Sequence, residues 1–244
     1  MFFIPRRKIV VFSVFIIMLS FISLTLHHPS TDVYSGKLKG IVIVDAGHGM
    51  PDGGAIGMNG TIESVINLEI AKKVKLNLEK KGLKVIMTRE DENSIYRDGE
   101  NIASKKKDDM YRRLEIINSS GADLFVSIHM NKFTSSKYCG AQVIYSDNFK
   151  DSEMLAGLIQ RQLHLIGENS SKREHLKASN GIFLLTKAQI PAVIVECGFL
   201  SNFEEEKLLS TEKYQSKLAK SIVSGIEKYY ESREDIKNEN IRNR

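Results

Sequence analysis

Short apolar runs recur along this chain, separated by stretches with a helical period. Residues 41–44, 83–88, 124–128, 141–145 and 192–195 are rich in Val, Ile, Leu and Phe. Several are apolar without interruption, the pattern of strands covered on both faces. Over residues 62–81, Ile66, Ile70, Val74 and Leu78 repeat every fourth position, and Gly82 follows where a helix C-terminus favours glycine. Met110, Leu114 and Ile117 share a face of a helix over 108–118, and Leu155, Leu158, Ile159 and Leu163 do so over 154–166. Leu218, Ile222, Ile226 and Tyr229 mark a last helix over 212–230. Strand and helix alternate, which predicts an α/β fold with a mainly parallel central sheet flanked by helices on both faces. Two stretches fall outside this rhythm. Residues 90–107 predict a long polar loop ending in Lys105, Lys106 and Lys107, and the mixed charges after Tyr230 predict a solvated, frayed tail.

The beginning of the chain has another character. Residues 9–26 form an uncharged, mostly apolar run preceded by Arg6, Arg7 and Lys8. That length crosses a bilayer as a helix, and the charge asymmetry places the remainder of the chain outside the cytoplasm. A cleaved signal peptide has the same charge pattern but a shorter apolar core ending at small residues, and Leu24-Thr25-Leu26-His27-His28 does not match such an end. The expected organisation is an anchor or uncleaved signal over 1–26, a polar tether over 27–39, one catalytic domain over 40–231 and a charged tail over 232–244. The domain is expected at the outer face of the cytoplasmic membrane or exported.

With 244 residues and 42% hydrophobic content, the chain can bury the core of one domain. A net charge of +5, spread without a stripe of Lys and Arg interleaved with aromatics, gives no support to a nucleic-acid partner. The two cysteines, Cys139 and Cys197, rule out a disulfide framework. They read as buried thiols or as one bridge formed outside the cell.

Chemistry concentrates at strand ends. Asp45-Ala46-Gly47-His48-Gly49 directly follows the first strand, and ligands in open α/β sheets gather beyond the carboxyl ends of strands. A lone histidine there reads as a structural residue. Here a second strand delivers His129, followed by Asn131, and a third delivers Glu196. Glu63, at the start of the first long helix, either closes over the same crevice or serves as an acid favoured by the helix dipole. Two imidazoles and one carboxylate, with a fourth position for water, make the usual set of a hydrolytic zinc site. Such an ion lowers the pKa of its water to about 7 and polarises a carbonyl. A further carboxylate must then move the proton to the leaving amine. Glu196 suits that task, because Val193, Ile194, Val195 and Phe199 give it apolar surroundings.

The stretches Asp45-Ala46-Gly47-His48-Gly49, Glu63, Ser127-Ile128-His129-Met130-Asn131 and Glu196-Cys197-Gly198-Phe199-Leu200-Ser201-Asn202 resemble the motifs of the zinc-dependent N-acetylmuramoyl-L-alanine amidases of the amidase-3 family. The resemblance runs in order from about residue 40 to residue 230. It implies one Zn2+ held by His48, Glu63 and His129, with Glu196 as catalytic acid and base. Thr88, Arg89, Asp91 and Arg113 match as supporting residues, and Asn131 would orient substrate or a ligand. The substrate implied is peptidoglycan, glycan strands with stem peptides, cut between the muramic acid lactyl group and L-alanine.

Within the family the chain most resembles sporulation amidases that prepare spore cortex for germination, on its short anchor, bare domain, loop after Arg89 and stretch Gly181-Ile182-Phe183-Leu184. That implies action before muramic δ-lactam formation, pairing with a muramic acid deacetylase, and a location that includes the forespore intermembrane space. Two features depart from relatives. Cys197 stands beside Glu196 where relatives carry Val, Thr or Ser. The interval from His129 to Gly140 is too short for the blocking helix of cell-division relatives, so control passes to expression, location or an accessory activating protein. His27, His28 and His164 read as tether or helix residues, and His175 sits in a basic loop that reads as solvated or as meeting substrate anions. The alternatives are another zinc peptidase acting on stem peptides and an inactive wall-binding relative.

Overall fold

The alternation of runs and periods closes into one six-stranded sheet. The computed structural model describes residues 38–166 and 173–242. Its strands are β1 (Ile41–Ala46), β2 (Lys84–Met87), β3 (Leu124–Asn131), β4 (Gln142–Tyr145), β5 (Leu176–Lys177) and β6 (Ala192–Phe199). Their order is β2-β1-β3-β6-β4-β5. The pairs β1 with β2, β1 with β3, β3 with β6 and β4 with β5 are parallel, and β4 runs antiparallel to β6. The expected mainly parallel sheet is therefore present. The expected anchor over 1–26 lies outside the described residues. Among those described, no helix is long and apolar enough to cross a membrane.

Successive strand side chains point to opposite faces, so each central strand feeds two layers. Val42, Val44, Val126, Ile128, Val193 and Val195 face one layer. It is built by α1 (Glu63–Lys80), α3 (Lys150–Leu163) and α6 (Glu212–Arg242), which contribute Ile70, Val74, Leu155, Ile159, Ile222 and Ile226, all fully buried. Burial of a side chain of this size stabilises by about 1.5–3 kcal/mol. Ile43, Phe125, Ala192 and Ile194 face the other layer, a smaller cluster with Ile117 of α2 (Ile102–Ser119) and Leu184 and Leu185 of the short α4 (Phe183–Lys187).

Three segments differ from expectation. Residues 102–107 are helical and not loop, because Asn101 and Ser104 cap α2 reciprocally: Asn101 Oδ1 accepts from Ser104 N at 2.9 Å and Ser104 Oγ from Asn101 N at 3.0 Å. The residues after Tyr230 continue α6 to Arg242. Arg233 anchors that extension, its guanidinium reaching Tyr229 Oη at 3.1 Å and Asp151 Oδ2 at 3.5 Å. The elements β5, α4 and α5 (Phe203–Leu209) were not among those expected. They are too short to show a period.

Candidate active site

Three strands end side by side. In the β1–β3–β6 register, Asp45 lies beside Ser127, which lies beside Ile194, and one step on His129 lies beside Glu196. All of these belong to the face covered by α2 and α4. The turn after β1 is held from beneath by two buried guanidiniums. Arg89 donates to the carbonyls of Ala46, Gly47 and Ser64 at 2.8, 3.0 and 2.7 Å. Arg113 donates to the carbonyls of Ala46 and His48 at 2.9 and 2.6 Å. Arg113 also pairs with Asp45 and Asp109. Burial alone would raise the Asp45 pKa, but Arg113 and hydrogen bonds from Ser127 and Thr88 outweigh it and hold the carboxyl below 3.8. Thr88, Arg89 and Arg113 thus do the supporting work expected of them.

His48 adopts φ 59°, the left-handed region that non-glycine residues seldom enter. This turns its ring into the crevice, where Asp52 Oδ2 accepts from Nδ1 at 2.9 Å and Nε2 lies 3.3 Å from Glu63 Oε2. His129 comes directly from β3, and its Nδ1 lies 2.9 Å from Glu63 Oε1. The two rings meet edge to face at 5.0 Å. Glu63 opens α1 and is almost fully buried. Its carboxylate accepts from Ala55 N at 2.8 Å and Met130 N at 3.1 Å, and Asn67 Nδ2 bridges Glu63 Oε1 and Gly47 O. Burial would raise the Glu63 pKa, but the two imidazoles override that and drive it far below the usual range. Burial likewise disfavours the His48 cation, and Glu63 and Asp52 together raise its pKa above 6.5.

One ligand atom each from His48, Glu63 and His129 lies within 4.8 Å of the others. These separations, a nitrogen–nitrogen–oxygen donor set and an outer carboxylate gripping the far nitrogen of His48 fit a single zinc ion. Glu196 stands next to His129 with Oε2 buried and without a hydrogen-bond partner. Burial pushes its pKa up. An orphaned carboxyl oxygen beside a metal-type cluster is suited to exchange a proton with a ligand. Asn131 ends β3, and its carbonyl accepts from Leu200 N at 2.9 Å.

The structure therefore brings His48, Glu63, His129 and Glu196 to one crevice, as the sequence predicts. It adds Asp52, Asn67 and Lys106, whose ammonium sits 2.9 Å from Asp52 Oδ2. Asn67 had a signal in its position one helical turn after Glu63, and Asp52 in its spacing of four from His48. Cys197 is fully buried, with its thiol pKa pushed well up by burial and the nearby carboxylates, and no disulfide joins it to Cys139. His175 lies 5.7 Å from the Tyr145 ring, outside this crevice.

A crevice at the carboxyl ends of three central strands, with a metal-type cluster and an unpartnered carboxylate beside it, marks an α/β enzyme that handles its ligand at those strand ends. The N-acetylmuramoyl-L-alanine amidase family profile matches residues 42–228. A germination-specific N-acetylmuramoyl-L-alanine amidase of Bacillus subtilis is 39% identical over 202 residues, covering 82% of this chain and 83% of the relative. The CwlD amidase from Clostridioides difficile, solved in complex with the GerS lipoprotein, is 42% identical with a TM-score of 0.76, over 79% of this chain and 99% of that one. The N-acetylmuramoyl-L-alanine amidase from Clostridium difficile 630 is 31% identical with a TM-score of 0.69, over 80% and 98%. The chain belongs to the N-acetylmuramoyl-L-alanine amidase family and is an amidase of peptidoglycan.

Proposed function

We propose that the chain hydrolyses the amide between the muramic acid lactyl group and L-alanine using one zinc ion held by His48, Glu63 and His129, with Glu196 as catalytic acid and base. The observation that carries this reading is the triad of ligand atoms within 4.8 Å, beside a carboxyl oxygen that has no partner. When bound, zinc supplies Lewis acidity, polarising the scissile carbonyl and making water a nucleophile near neutral pH. The protein's own part is to place and to move protons. Asp52 fixes the His48 ring by accepting from Nδ1, which leaves Nε2 aimed at the crevice. Asn67 and Met130 N fix the Glu63 carboxylate. Glu196 Oε2 takes the proton of the attacking water and returns it to the departing alanine nitrogen, and its raised pKa suits both transfers. Asn131, at the end of β3, orients substrate beside His129.

The germination-specific relative supports a setting in spore cortex, where removal of stem peptides precedes muramic δ-lactam formation and pairs this chain with a muramic acid deacetylase. The GerS lipoprotein bound by the structural relative supports an accessory protein for this chain too. The apolar run over 9–26 supports tethering at the outer face of the cytoplasmic membrane, including the forespore intermembrane space.

The test is to strip metal from the full-length protein, add back zinc or buffer, and analyse digests of purified cortex peptidoglycan by mass spectrometry. Stem peptides beginning with L-alanine, released only with zinc, are expected. Peptides with any other amino terminus, or release that ignores zinc, would overturn the reading.

A further inference from the structure

Beyond the metal-type cluster, the crevice continues along the sheet face that carries Ser127, His129 and Ile194. Met110 and Asp109 of α2 form one wall, residues 181–184 form the other, and Lys106 stands at the rim. The cavity measures about 320 Å³, at the small end of ligand sites. A residue or two of peptide fits such a space, and a glycan strand does not.

The chemistry of the walls selects further. Met110, Ile182, Phe183, Leu184 and Ile194 offer thioether, alkyl and phenyl surface. Phe183 is braced by Tyr111 in an edge-to-face contact at 5.1 Å. Sugar hydroxyls and acetamido groups would leave water for side chains that return no hydrogen bonds, at a net cost. A small alkyl side chain gains by the same transfer. The rim has the opposite character. Lys106 is 52% exposed, and its Nζ touches Asp52 Oδ2, an oxygen already engaged by His48 Nδ1. An ammonium carries three protons, so Lys106 has donors left to offer a ligand at the mouth.

We propose that this crevice binds the peptide side of the scissile amide, with the side chain of the residue bearing the amide nitrogen packed against Met110, Ile182 and Phe183 and the carboxylate of the next residue paired with Lys106. The inference rests on the amidase reading and adds to it a direction for the substrate and two selectivity elements. An apolar wall next to the triad favours a methyl-sized side chain and crowds larger ones. The cation beyond it favours an acidic neighbour over its amide.

Two muramoyl tripeptides, identical except for a carboxylate or a carboxamide on the second residue, provide the test with full-length zinc-loaded protein. The carboxylate form is expected to have a KM roughly tenfold lower, the size of one hydrogen bond to a charged group. Lys106→Met should abolish that ratio and Lys106→Arg should keep it. If Lys106 acts only by steadying Asp52, Lys106→Met will slow both substrates by one factor and leave the ratio intact, which overturns the proposal. Phe183→Ala should raise the relative rate on a substrate with leucine in place of the first alanine, and unchanged discrimination there also counts against it. Binding of the two free tripeptides, followed by calorimetry, separates this inference from the amidase reading. Should neither muramoyl substrate be cleaved, even with cell extract that supplies an accessory protein, the reading of which amide is cut fails. A binding preference for the carboxylate that disappears in Lys106→Met would still uphold the crevice assignment, and equal binding would end it.

Discussion

A Cβ added at Gly47 would lie 2.2 Å from His129 Nε2, so the glycine is the space into which the second imidazole fits. Gly47→Ala is expected to lose zinc while circular dichroism still reports a folded protein, since the core lies below this turn. Glu196→Gln should retain one zinc per chain and lose roughly 10²–10⁴ in kcat, the usual worth of a general acid and base. Metal analysis beside stem-peptide release checks both, and a rate near wild type for Glu196→Gln removes it from the mechanism. Asp45 makes a prediction about pH. Its folded-state pKa lies below 3.8, so its ion pair with Arg113 contributes fully above 3.8 and is lost as pH falls through the folded value. Asp45→Asn should therefore destabilise the protein at neutral pH, by less than the roughly 3–5 kcal/mol of a buried pair broken outright, because Asp109 still pairs with Arg113. Denaturant titrations should find that deficit shrinking as pH drops below 3.8. His48, Glu63, His129 and Glu196 stood out as candidates because three follow an apolar run and the fourth opens a periodic helix. Asp52 and Lys106 lie where polar residues are ordinary, and only their contact with each other and with His48 gives them meaning.

At the scale of elements, a buried carboxylate ties the loop that precedes α1. Glu206 of α5 accepts from Asn59 N at 3.0 Å and Thr61 N at 3.3 Å and is fully buried. That loop leads directly to Glu63, so its order bears on the proposed metal ligand. Glu206→Ala should speed amide hydrogen exchange at Asn59 and Thr61 and weaken zinc binding, whereas unchanged exchange would show that the loop holds itself. The α2 terminus is a second case. Asn101→Ala removes a reciprocal cap and is expected to cost about 1 kcal/mol in urea unfolding. Reading 102–107 as loop followed from polarity, because three consecutive lysines hide a helix whose stripe begins only at Met110. The extension of α6 was missed for the same reason. Its first turn is tied by Tyr229, Arg233 and Asp151 in space and not by an apolar repeat.

The molecule as a whole divides its labour between the two sides of one sheet. Three long helices fill one side with aliphatic contacts; the runs and periods of the sequence predicted helices on both faces but not which face each covers. The other side is covered by α2 and the five-residue α4, and the gap they leave is the crevice. Its shape was hidden in the sequence because the short apolar run at 182–185 does not say which face of the sheet it covers. The chain outside this domain makes one prediction at the same scale. Deleting residues 1–26 should move the protein from the membrane fraction to the soluble fraction while sparing zinc-dependent cleavage. Retention at the membrane without that segment would assign the attachment elsewhere.

The thin cover on the chemical side has an evolutionary corollary. Substitutions at 181–184 or along the start of α2 remodel what touches the ligand while leaving the aliphatic side of the sheet as it was. Lineages that meet walls of different composition have a short, exchangeable patch on which to diverge, and a graft of those few residues between relatives should carry preference across without disturbing folding.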